Sequence, residues 1–599
     1  MMRAIALACT LGILAAPVSP TPSAQAALFT VTTSADGADV NPGDGRCATA
    51  TGACTLRAAV QEANATPALD VISIPPGTYV LTLVGRGENL AATGDLDVTQ
   101  PLTLTAAGAA TTVIDGNGSD RILHVIGPVA VEVSGITLRN GNVPRPADIS
   151  LDGGGGAMHI AGGGRVTLRN TVVAGNTATS GGGIVNDEGG TLSLVNTAVT
   201  SNTASFGAGV FNNGAFNVTQ STFSRNAASA SAGAIYHRLG ALTLFSTTIT
   251  SNSAGSATIG GGGLLVAAGA TASIGSSLMS ANTATANGGG IHTRGSVSLT
   301  NTTLSGNTAR AAGGALYVGS GTASVNNGTL AGNSADTQAA AIWSAGTVTI
   351  SNSIVAATGG SGACGGPVAS LGYNLDGGST CGLSAIGDLT GMDPRIGPLQ
   401  SNGGPTLTHA LLPTSPAIDA GNPGTGGSGR ACDPADQRGT PRPIDGNGDG
   451  LPRCDIGAYE APAMAVAPAP PGPPVPVAPA PPPPLVFFPP AGPAPVSTAL
   501  APPATPLPQA TRTTGSPGPP GAQPPAAQEP GAAGEEGWLI LAESVRLYSI
   551  TGEPLWTANP GARYLPLGEE DGWMLIVLEQ APDDAFWVEE LPPAFPLPQ

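Results

Sequence analysis

Apolar and small polar residues alternate in short runs along residues 153–355 of this chain of 599 residues. In each repeat unit a glycine-rich patch leads into an apolar pair, and a run such as Leu192-Ser-Leu194 follows after a variable turn. Each unit then closes on an apolar residue, two further residues and an asparagine. Alternation with a period of two predicts β-strands, and a repeating unit of this length predicts stacked coils. The closing asparagines, spaced 24 to 30 residues apart, are Asn176, Asn202, Asn226, Asn252, Asn282, Asn307 and Asn333.

Units of this length, with short strands divided by glycine and asparagine turns, predict the coils of a parallel β-helix. We expect this all-β solenoid to occupy residues 76–359. Asparagine tolerates the left-handed αL conformation, and its side-chain amide can bond to the asparagine of the next coil. Glycine at the other corner permits a positive φ and a close approach of the backbone. The sequence therefore predicts a rod with an asparagine ladder along one edge.

Residues 27–75 predict a cap on the N-terminal end of the rod. Leu56, Val60 and Ala63 lie on one face at helical spacing, which predicts a short amphipathic helix. A solenoid needs such a cap because its first coil would otherwise expose the edge of a sheet.

The same segment carries a family resemblance. The run Cys54-Thr-Leu-Arg-Ala-Ala59, followed by Gln61-Glu-Ala-Asn64, resembles the domain named for its Cys-Ser-Leu-Arg-Glu-Ala motif, which occurs on exported bacterial β-helix proteins. Here Thr55 replaces the serine of the motif and Ala58 replaces its glutamate. The resemblance implies a right-handed parallel β-helix of the pectin-lyase-like fold. It does not imply pectin lyase activity.

We expect residues 360–461 to close the C-terminal end of the rod. The runs Ser415-Pro-Ala-Ile-Asp-Ala-Gly421 and Cys454-Asp-Ile-Gly-Ala-Tyr-Glu460 are similar to the closing region of bacterial choice-of-anchor Q proteins. This resemblance and that of the cap together imply the fold and export, and leave the activity open.

The last part of the chain changes composition twice. Residues 462–534 are rich in proline and alanine, which predicts an extended linker. Residues 535–599 return to short strands, and Gly572-Trp573 and Trp587-Val588 resemble parts of a bacterial SH3-like β-barrel. Modules of that kind commonly bind cell-wall peptide or glycan. The alternative is that the tryptophans only form the core of a small barrel.

Residues 1–26 are typical of a signal peptide, because Arg3 precedes an apolar run and Ala24-Gln-Ala26 supplies small residues for cleavage. No other stretch is long and apolar enough to span a bilayer. We therefore expect a secreted or cell-surface protein, and a monomer. Without the signal peptide six of the seven cysteines remain, and close cysteines in an exported chain predict local disulfides. Of the connectivities that six cysteines allow, proximity favours Cys47–Cys54, Cys364–Cys381 and Cys432–Cys454.

Composition and charge narrow the class of partner. The net charge is −18 and all 21 basic residues are arginine, which argues against nucleic acid. Aromatic residues make up only 4% of the chain, which suits a solenoid of small residues better than an ordinary globular enzyme. Between Gly189 and Ala335 there is no Asp or Glu, so the central coils lack the acids of a glycosidase. The expected partner is a polysaccharide or another cell-wall or cell-surface component.

Aromatic residues and histidines recur near one register of the coils and predict a face that stacks on sugars. The alternative is an outward-facing strand with mixed residues. The predicted ligand-binding residues are Phe211, Tyr236, His237, His292, Tyr317 and Trp343.

A second candidate site is the turn from Asp445 through Asn447 and Asp449, which places oxygen ligands at alternate positions. It resembles the start of an EF-hand loop, so calcium is the predicted cofactor. The glutamate of such loops is missing at the twelfth position, and Asp455 is the nearest replacement. The alternative is a tight turn between disulfide-linked cysteines.

Three functions follow from these features. We favour non-catalytic binding of carbohydrate or of a cell surface, as in an adhesin. A polysaccharide lyase or glycoside hydrolase would instead need at least three acids, or an arginine beside a calcium site, on one face of the rod. The acids before the central coils, at Asp95, Asp97, Asp115 and Asp120, are also typical of turns. The third function is a structural spacer, with the C-terminal module as the binding part.

Overall fold

The computed structural model describes residues 26–143, 154–356, 362–424 and 431–464, together with six backbone strands between residues 539 and 589. The predicted signal peptide up to residue 25 and the predicted linker from residue 465 onwards lie outside the described residues. The described part is almost entirely β-structure and contains one short α-helix. No helix in it has the length and hydropathy needed to cross a membrane.

The coils stack into parallel sheets, which we name A, B, C and D. Within a coil the chain passes through sheet C, then sheet A, then sheet B, and six coils add a strand of sheet D. Each strand pairs with the equivalent strand of the coils before and after it. The prediction of an all-β parallel solenoid is confirmed.

The strands have the following bounds. Sheet A contains Leu28–Thr30, Asp70–Ile74, Leu102–Ala106, Ala130–Ser134, Arg165–Arg169, Thr191–Val195, Ala215–Thr219, Ala241–Phe245, Thr271–Gly275, Ser296–Thr300, Thr322–Asn326, Thr347–Ser351 and Val368–Ser370. Sheet B contains Gly77–Val80, Thr112–Asp115, Thr137–Arg139, Val172–Ala174, Ala198–Thr200, Thr222–Ser224, Thr248–Thr250, Leu278–Ser280, Thr303–Ser305, Thr329–Ala331, Ile354–Ala356, Leu375–Asp376 and Leu389–Thr390. Sheet C contains Leu96–Val98, Leu123–Val125, Met158–Ile160, Ile184–Asn186, Val210–Asn212, Ile235–His237, Leu264–Val266, Ile291–Thr293, Leu316–Val318, Ile342–Ser344 and Cys364–Gly365. Sheet D contains Thr203–Phe206, Ala227–Ser231, Ser253–Ala254, Thr283–Ala284, Thr308–Ala309 and Ser334–Ala335.

Alternating burial along the strands builds the core inside the coils. In the sheet A strand Thr191–Val195, Leu192 and Leu194 are fully buried, whereas the residues between and beside them are partly exposed. Burial of each such aliphatic side chain contributes about 1.5–3 kcal/mol. Phe216 and Phe223 add an edge-to-face contact with ring centroids 6.4 Å apart. The period-two pattern of the sequence thus becomes one continuous apolar core.

The asparagines that close the units form the predicted ladder. The backbone N–H and Nδ2 of Asn202 both donate to Oδ1 of Asn226, at 3.0 and 2.9 Å. The same pair of bonds links every step from Asn176 to Asn333. The expectation that these asparagines adopt the αL conformation is wrong, because the preceding residue takes the positive φ, as at Ser201 with 56°. That turn leaves the asparagine buried, with its amide bridging successive coils.

The predicted cap contains the helix α1, Leu56–Asn64. Thr55 caps its N-terminus by accepting the N–H of Ala58 at 3.1 Å, as expected for an N-cap threonine. Asn64 at its other end donates to the Asp97 carbonyl at 2.7 Å and accepts the Thr99 N–H at 2.9 Å. The residues that carry the family resemblance therefore attach the helix to the first strand of sheet C.

After the last coil the chain returns along sheet B. It forms an antiparallel pair, Ile396–Gln400 with Thr408–Leu411, and then runs through residues 431–461. Thr303 of sheet B donates to Gln437 at 2.6 Å, and the Ala458 N–H donates to Thr329 at 2.9 Å. We call residues 393–461 the return segment. It covers the C-terminal part of sheet B.

The six cysteines form the three pairs that proximity predicted, Cys47–Cys54, Cys364–Cys381 and Cys432–Cys454. The strands near the C-terminus form a separate antiparallel sheet. Their bounds are Leu539–Ile540, Val545–Tyr548, Pro554–Ala558, Arg563–Glu570, Trp573–Leu578 and Ala581–Glu589.

Candidate functional site

The middle residues of the sheet C strands form one column on the outer face of that sheet. Strand register places each of them opposite the middle residue of the next coil. The column therefore brings together most of the predicted aromatic row and continues it towards the N-terminus. In chain order it contains Asp97, His124, His159, Val185, Phe211, Tyr236, Leu265, His292, Tyr317 and Trp343.

His237 does not belong to this column, although the sequence placed it with His292. His237 is the third residue of its strand, whereas His292 is the second, and neighbouring strand residues face opposite sides. Its Nδ1 accepts from Asn212 at 2.9 Å and its Nε2 donates to the Thr271 carbonyl at 3.1 Å. Burial lowers the pKa of His237 below its usual value. His237 is thus a neutral residue of the interior.

Phe211 and Tyr236 are covered by other parts of the coils. Their rings meet edge to face at 5.0 Å, and Phe206, Ile259 and Leu265 complete a small apolar cluster around them. Phe211 is fully buried and Tyr236 is only 6% exposed. A ligand would have to displace this cover to reach either ring.

Tyr317 and Trp343 are the members of the row with partly exposed side chains. Their rings are parallel, with centroids 4.6 Å apart, and the indole N–H donates to Gln338 at 2.7 Å. Beyond Trp343 lies Gly365, where a β-carbon would come within 3.0 Å of the indole ring. The ring faces therefore pack against neighbouring coils, and a sugar would meet ring edges.

The N-terminal end of the column is polar and buried. Nδ1 of His124 lies 3.2 Å from Oδ1 of Asp97, and the His124 ring stacks on the ring of His159 at 5.0 Å. Nε of Arg121 lies 3.0 Å from Oδ2 of Asp95. We call these residues, with Asp120 and Asp187, the histidine–aspartate cluster. Burial raises the pKa of Asp95 to about 8, against the opposing effect of Arg121.

Hydrogen bonds define the protonation state of His159. Arg121 can only donate, so its contact of 2.7 Å with Nδ1 requires an unprotonated Nδ1 on His159. Nε2 then carries the proton and donates to Oδ2 of Asp187 at 2.8 Å. Burial lowers the pKa of His159, which agrees with a neutral ring. The cluster thus offers carboxyl groups, a guanidinium and two imidazoles, a set suited to proton transfer or metal binding.

The sequence analysis identified Asp95, Asp97 and Asp120 but assigned them to turns. Their grouping with His124 and His159 depends on the register between coils of unequal length, which residue spacing alone does not reveal. Asp115, the fourth acid named in the sequence analysis, lies outside the cluster and pairs with Arg139 at 2.9 Å. A search for polar residues in the middle of each sheet C strand would have found the cluster.

The predicted calcium ligands lie on an exposed turn. The oxygens of Asp445 accept from Gly448 and Gly450 at 2.7 and 2.8 Å, and Asn447 accepts from Asp449 at 2.8 Å. Asp455 is buried and accepts from Asp419 and Ala461 backbone amides. The turn residues are thus bonded to their own backbone, and Asp455 is committed to the interior of the return segment.

The outer face of sheet A forms a shallow groove of about 500 Å³. Residues of five successive strands line it, and most of them carry hydroxyl groups, as do Ser273, Ser298 and Ser324. Phe245, at the edge of the same face, is 51% exposed, and its ring lies over Gly275. This face combines hydrogen-bonding groups repeated at the strand spacing with a free aromatic surface.

Comparisons with protein-family models, with curated proteins and with solved structures found no match for this chain. The groove on sheet A and the histidine–aspartate cluster are therefore the features that bear on its function.

Proposed function

We propose that this chain is an exported β-solenoid protein that binds an extended polysaccharide on the outer face of sheet A without cleaving it. The groove there, with exposed Phe245 at its edge, is the observation that carries the proposal. Neighbouring strands repeat at ~4.8 Å, so hydroxyl groups recur regularly along the rod. A linear polymer with regularly spaced hydroxyl groups can meet such an array over several coils.

The aromatic contribution comes from Phe245. One face of its ring packs on the backbone of Gly275, and half of its surface stays exposed. A sugar ring can stack on such a surface in the same way that aromatic side chains stack on one another. This arrangement differs from that of Trp343, whose ring is enclosed between Tyr317 and Gly365.

The test is retardation of the full-length protein in native gels that contain single polysaccharides, neutral and acidic. Replacing Ser273, Ser298 and Ser324 together by valine removes hydroxyl groups, whereas the triple threonine variant keeps them at nearly the same side-chain volume. We expect the valine variant to lose retardation and the threonine variant to keep it. Phe245→Ala should weaken binding about 10-fold, the equivalent of about 1.4 kcal/mol. Equal retardation of all variants would contradict binding at this face.

The histidine–aspartate cluster favours a second candidate, cleavage of a polysaccharide. It places Asp95, Asp97 and Asp120 beside Arg121 and two imidazoles, which is the type of acid cluster that a lyase or hydrolase needs. All three acids are almost fully buried, which limits access by a polymer. New reducing ends or unsaturated ends in the same incubations would support this candidate over simple binding.

The cap and the return segment, at the two ends of the solenoid, also support the family resemblances. The cap around α1 supports membership of the exported bacterial β-helix proteins with a Cys-Ser-Leu-Arg-Glu-Ala type domain, and the return segment supports the choice-of-anchor Q likeness. Three disulfides are compatible with an extracellular location.

We further propose that residues 535–599 form an SH3-like module. If the groove on sheet A binds nothing, this module would be the binding part and the solenoid would be a spacer. Calcium at Asp445 is proposed from the motif alone.

A further inference from the structure

Three side chains of the histidine–aspartate cluster are arranged as metal ligands. Asp97 and His124 are register partners in adjacent sheet C strands, and Asp95 lies two residues before Asp97. One donor atom from each of the three lies within 4.8 Å of the others. Because two of the three are held by strand pairing, the geometry is built into the solenoid.

The separations suit a single divalent ion. With bonds of ~2.1 Å, two ligand atoms at right angles lie ~3.0 Å apart and opposite ligand atoms ~4.2 Å apart. Oδ1 of Asp97 and Nδ1 of His124 are 3.2 Å apart. These two atoms therefore need little movement to become neighbouring ligands of one ion.

The local charge also favours a cation. Asp95, Asp97 and Asp120 are 4%, 0% and 4% exposed. A buried carboxyl group pairs with a cation, coordinates a metal ion or becomes protonated. Of the two buried arginines nearby, Arg57 is paired with Asp36 and Arg121 with Asp95. A metal ion between Asp97 and His124 would place positive charge beside Asp97, which has no arginine partner in these ion pairs.

Contacts behind the ligands hold them in place, as is usual at metal sites. The N–H of Ala91 donates to Oδ2 of Asp97 at 2.8 Å, which leaves Oδ1 directed at His124. Arg57 donates to the carbonyl oxygens of Ala91 and Asp95, both at 3.1 Å. The His159 ring supports one face of the His124 ring.

We propose that Asp95, Asp97 and His124 bind one divalent transition metal ion. Two carboxylates and an imidazole suit zinc or manganese better than calcium, which prefers oxygen ligands. Three protein ligands leave at least one position for water or for a ligand of the protein. The site lies on sheet C, so it does not depend on polysaccharide binding at sheet A or on the Asp445 turn.

The experiment measures zinc binding by the full-length protein after dialysis against a chelator, with isothermal titration calorimetry. We expect one ion per chain to bind at this site and a higher melting temperature with zinc than without it. Asp97→Asn and His124→Gln each remove one ligand and should weaken zinc binding by at least ~10-fold. Asp115→Asn is the matched control, because Asp115 is a buried aspartate that pairs with Arg139 and lies outside the cluster. This variant should bind zinc with the affinity of the unaltered protein.

No zinc uptake, or an affinity that both ligand variants leave unchanged, would overturn the proposal. Since replacement of buried Asp97 can impair folding, crystals of the unaltered protein grown with zinc provide a second readout. Anomalous scattering should place the ion between Asp95, Asp97 and His124. A zinc peak at another position alone, such as the Asp445 turn, would refute the site.

Discussion

The guanidinium of Arg57 and the carboxylate of Asp36 form a bidentate ion pair, with contacts of 2.7 and 3.2 Å. Their side chains are 0% and 2% exposed. Asp36 also accepts the backbone N–H groups of Thr82 and Leu83, at 2.7 and 2.9 Å. Arg57 lies on α1, so this pair connects the cap to the loop that leads into sheet C.

Loss of this pair should release the cap. Arg57→Met keeps much of the side-chain length but leaves Asp36 buried without its cation. Removing one partner of a buried ion pair costs about 3–5 kcal/mol. We expect a lower melting temperature and faster hydrogen exchange in α1 and in residues 82–95. The control is Arg169→Met, because Arg169 pairs with Glu132 at an exposed position and should contribute about 1 kcal/mol or less. Equal effects of the two variants would contradict the role of Arg57.

Interrupting the asparagine ladder should cost more than removing an exposed asparagine. Oδ1 of Asn252 accepts from both the N–H and Nδ2 of Asn226, and its own Nδ2 donates to Asn282 at 2.9 Å. Asn252→Ala would leave these buried groups without partners, at about 1–3 kcal/mol for each unsatisfied group. Asn217→Ala, on the exposed face of sheet A, should change stability by about 0.5 kcal/mol or less. Chemical denaturation of both variants tests the difference.

The docking of the return segment should depend on pH through His409. Nδ1 of His409 lies 2.7 Å from the Gly397 carbonyl oxygen, so Nδ1 must carry the proton and donate it. Nε2 then accepts from the Ser305 hydroxyl group at 2.9 Å. Burial lowers the pKa of His409 from its usual 6.5, and the bond to Gly397 opposes this only in part. A base whose pKa is depressed on folding contributes stability that is complete above its unfolded pKa. That contribution is lost as the pH falls from about 6.5 through the lowered value.

Melting temperatures between pH 7.5 and 5 measure this effect. His409→Asn keeps a donor near the position of Nδ1 but does not titrate, so its stability should vary less over this range. His237→Asn provides a comparison, because His237 is also a buried neutral histidine whose pKa is lowered. A pH dependence that His409→Asn leaves unchanged would assign the effect to other groups.

The features that the sequence predicted correctly depend on periodicity or on proximity along the chain. The ladder from Asn176 to Asn333 repeats in every coil, and the partners within each disulfide are close in sequence. The prediction that His237 lies in the same row as His292 was wrong. A shift of one residue along a strand turns the side chain to the opposite face of the sheet. The predicted αL conformation of the ladder asparagines was wrong, because the residue before each asparagine adopts αL instead.

The histidine–aspartate cluster was missed for a different reason. Asp97, His124 and His159 become neighbours only through the register of coils that differ in length. The motif around Arg57 drew attention to the cap, but the motif does not show that Arg57 contacts the backbone beside Asp95. Neither contact leaves a periodic signal in the chain.

The disulfide Cys432–Cys454 closes a larger loop than Cys47–Cys54, with sequence separations of 22 and 7. In the chain-entropy model the longer loop adds about 1 kcal/mol more stability, and a disulfide of this kind contributes about 2–4 kcal/mol. The return segment should therefore be the part most sensitive to loss of its disulfide. In the Cys432→Ala/Cys454→Ala variant we expect faster proteolysis within residues 393–461 and faster hydrogen exchange in the sheet B strands that this segment covers. The Cys47→Ala/Cys54→Ala variant should instead expose α1 and leave sheet B protected. If both variants lose protection in the same region, the two ends of the rod unfold together, and the return segment does not act as an independent cover.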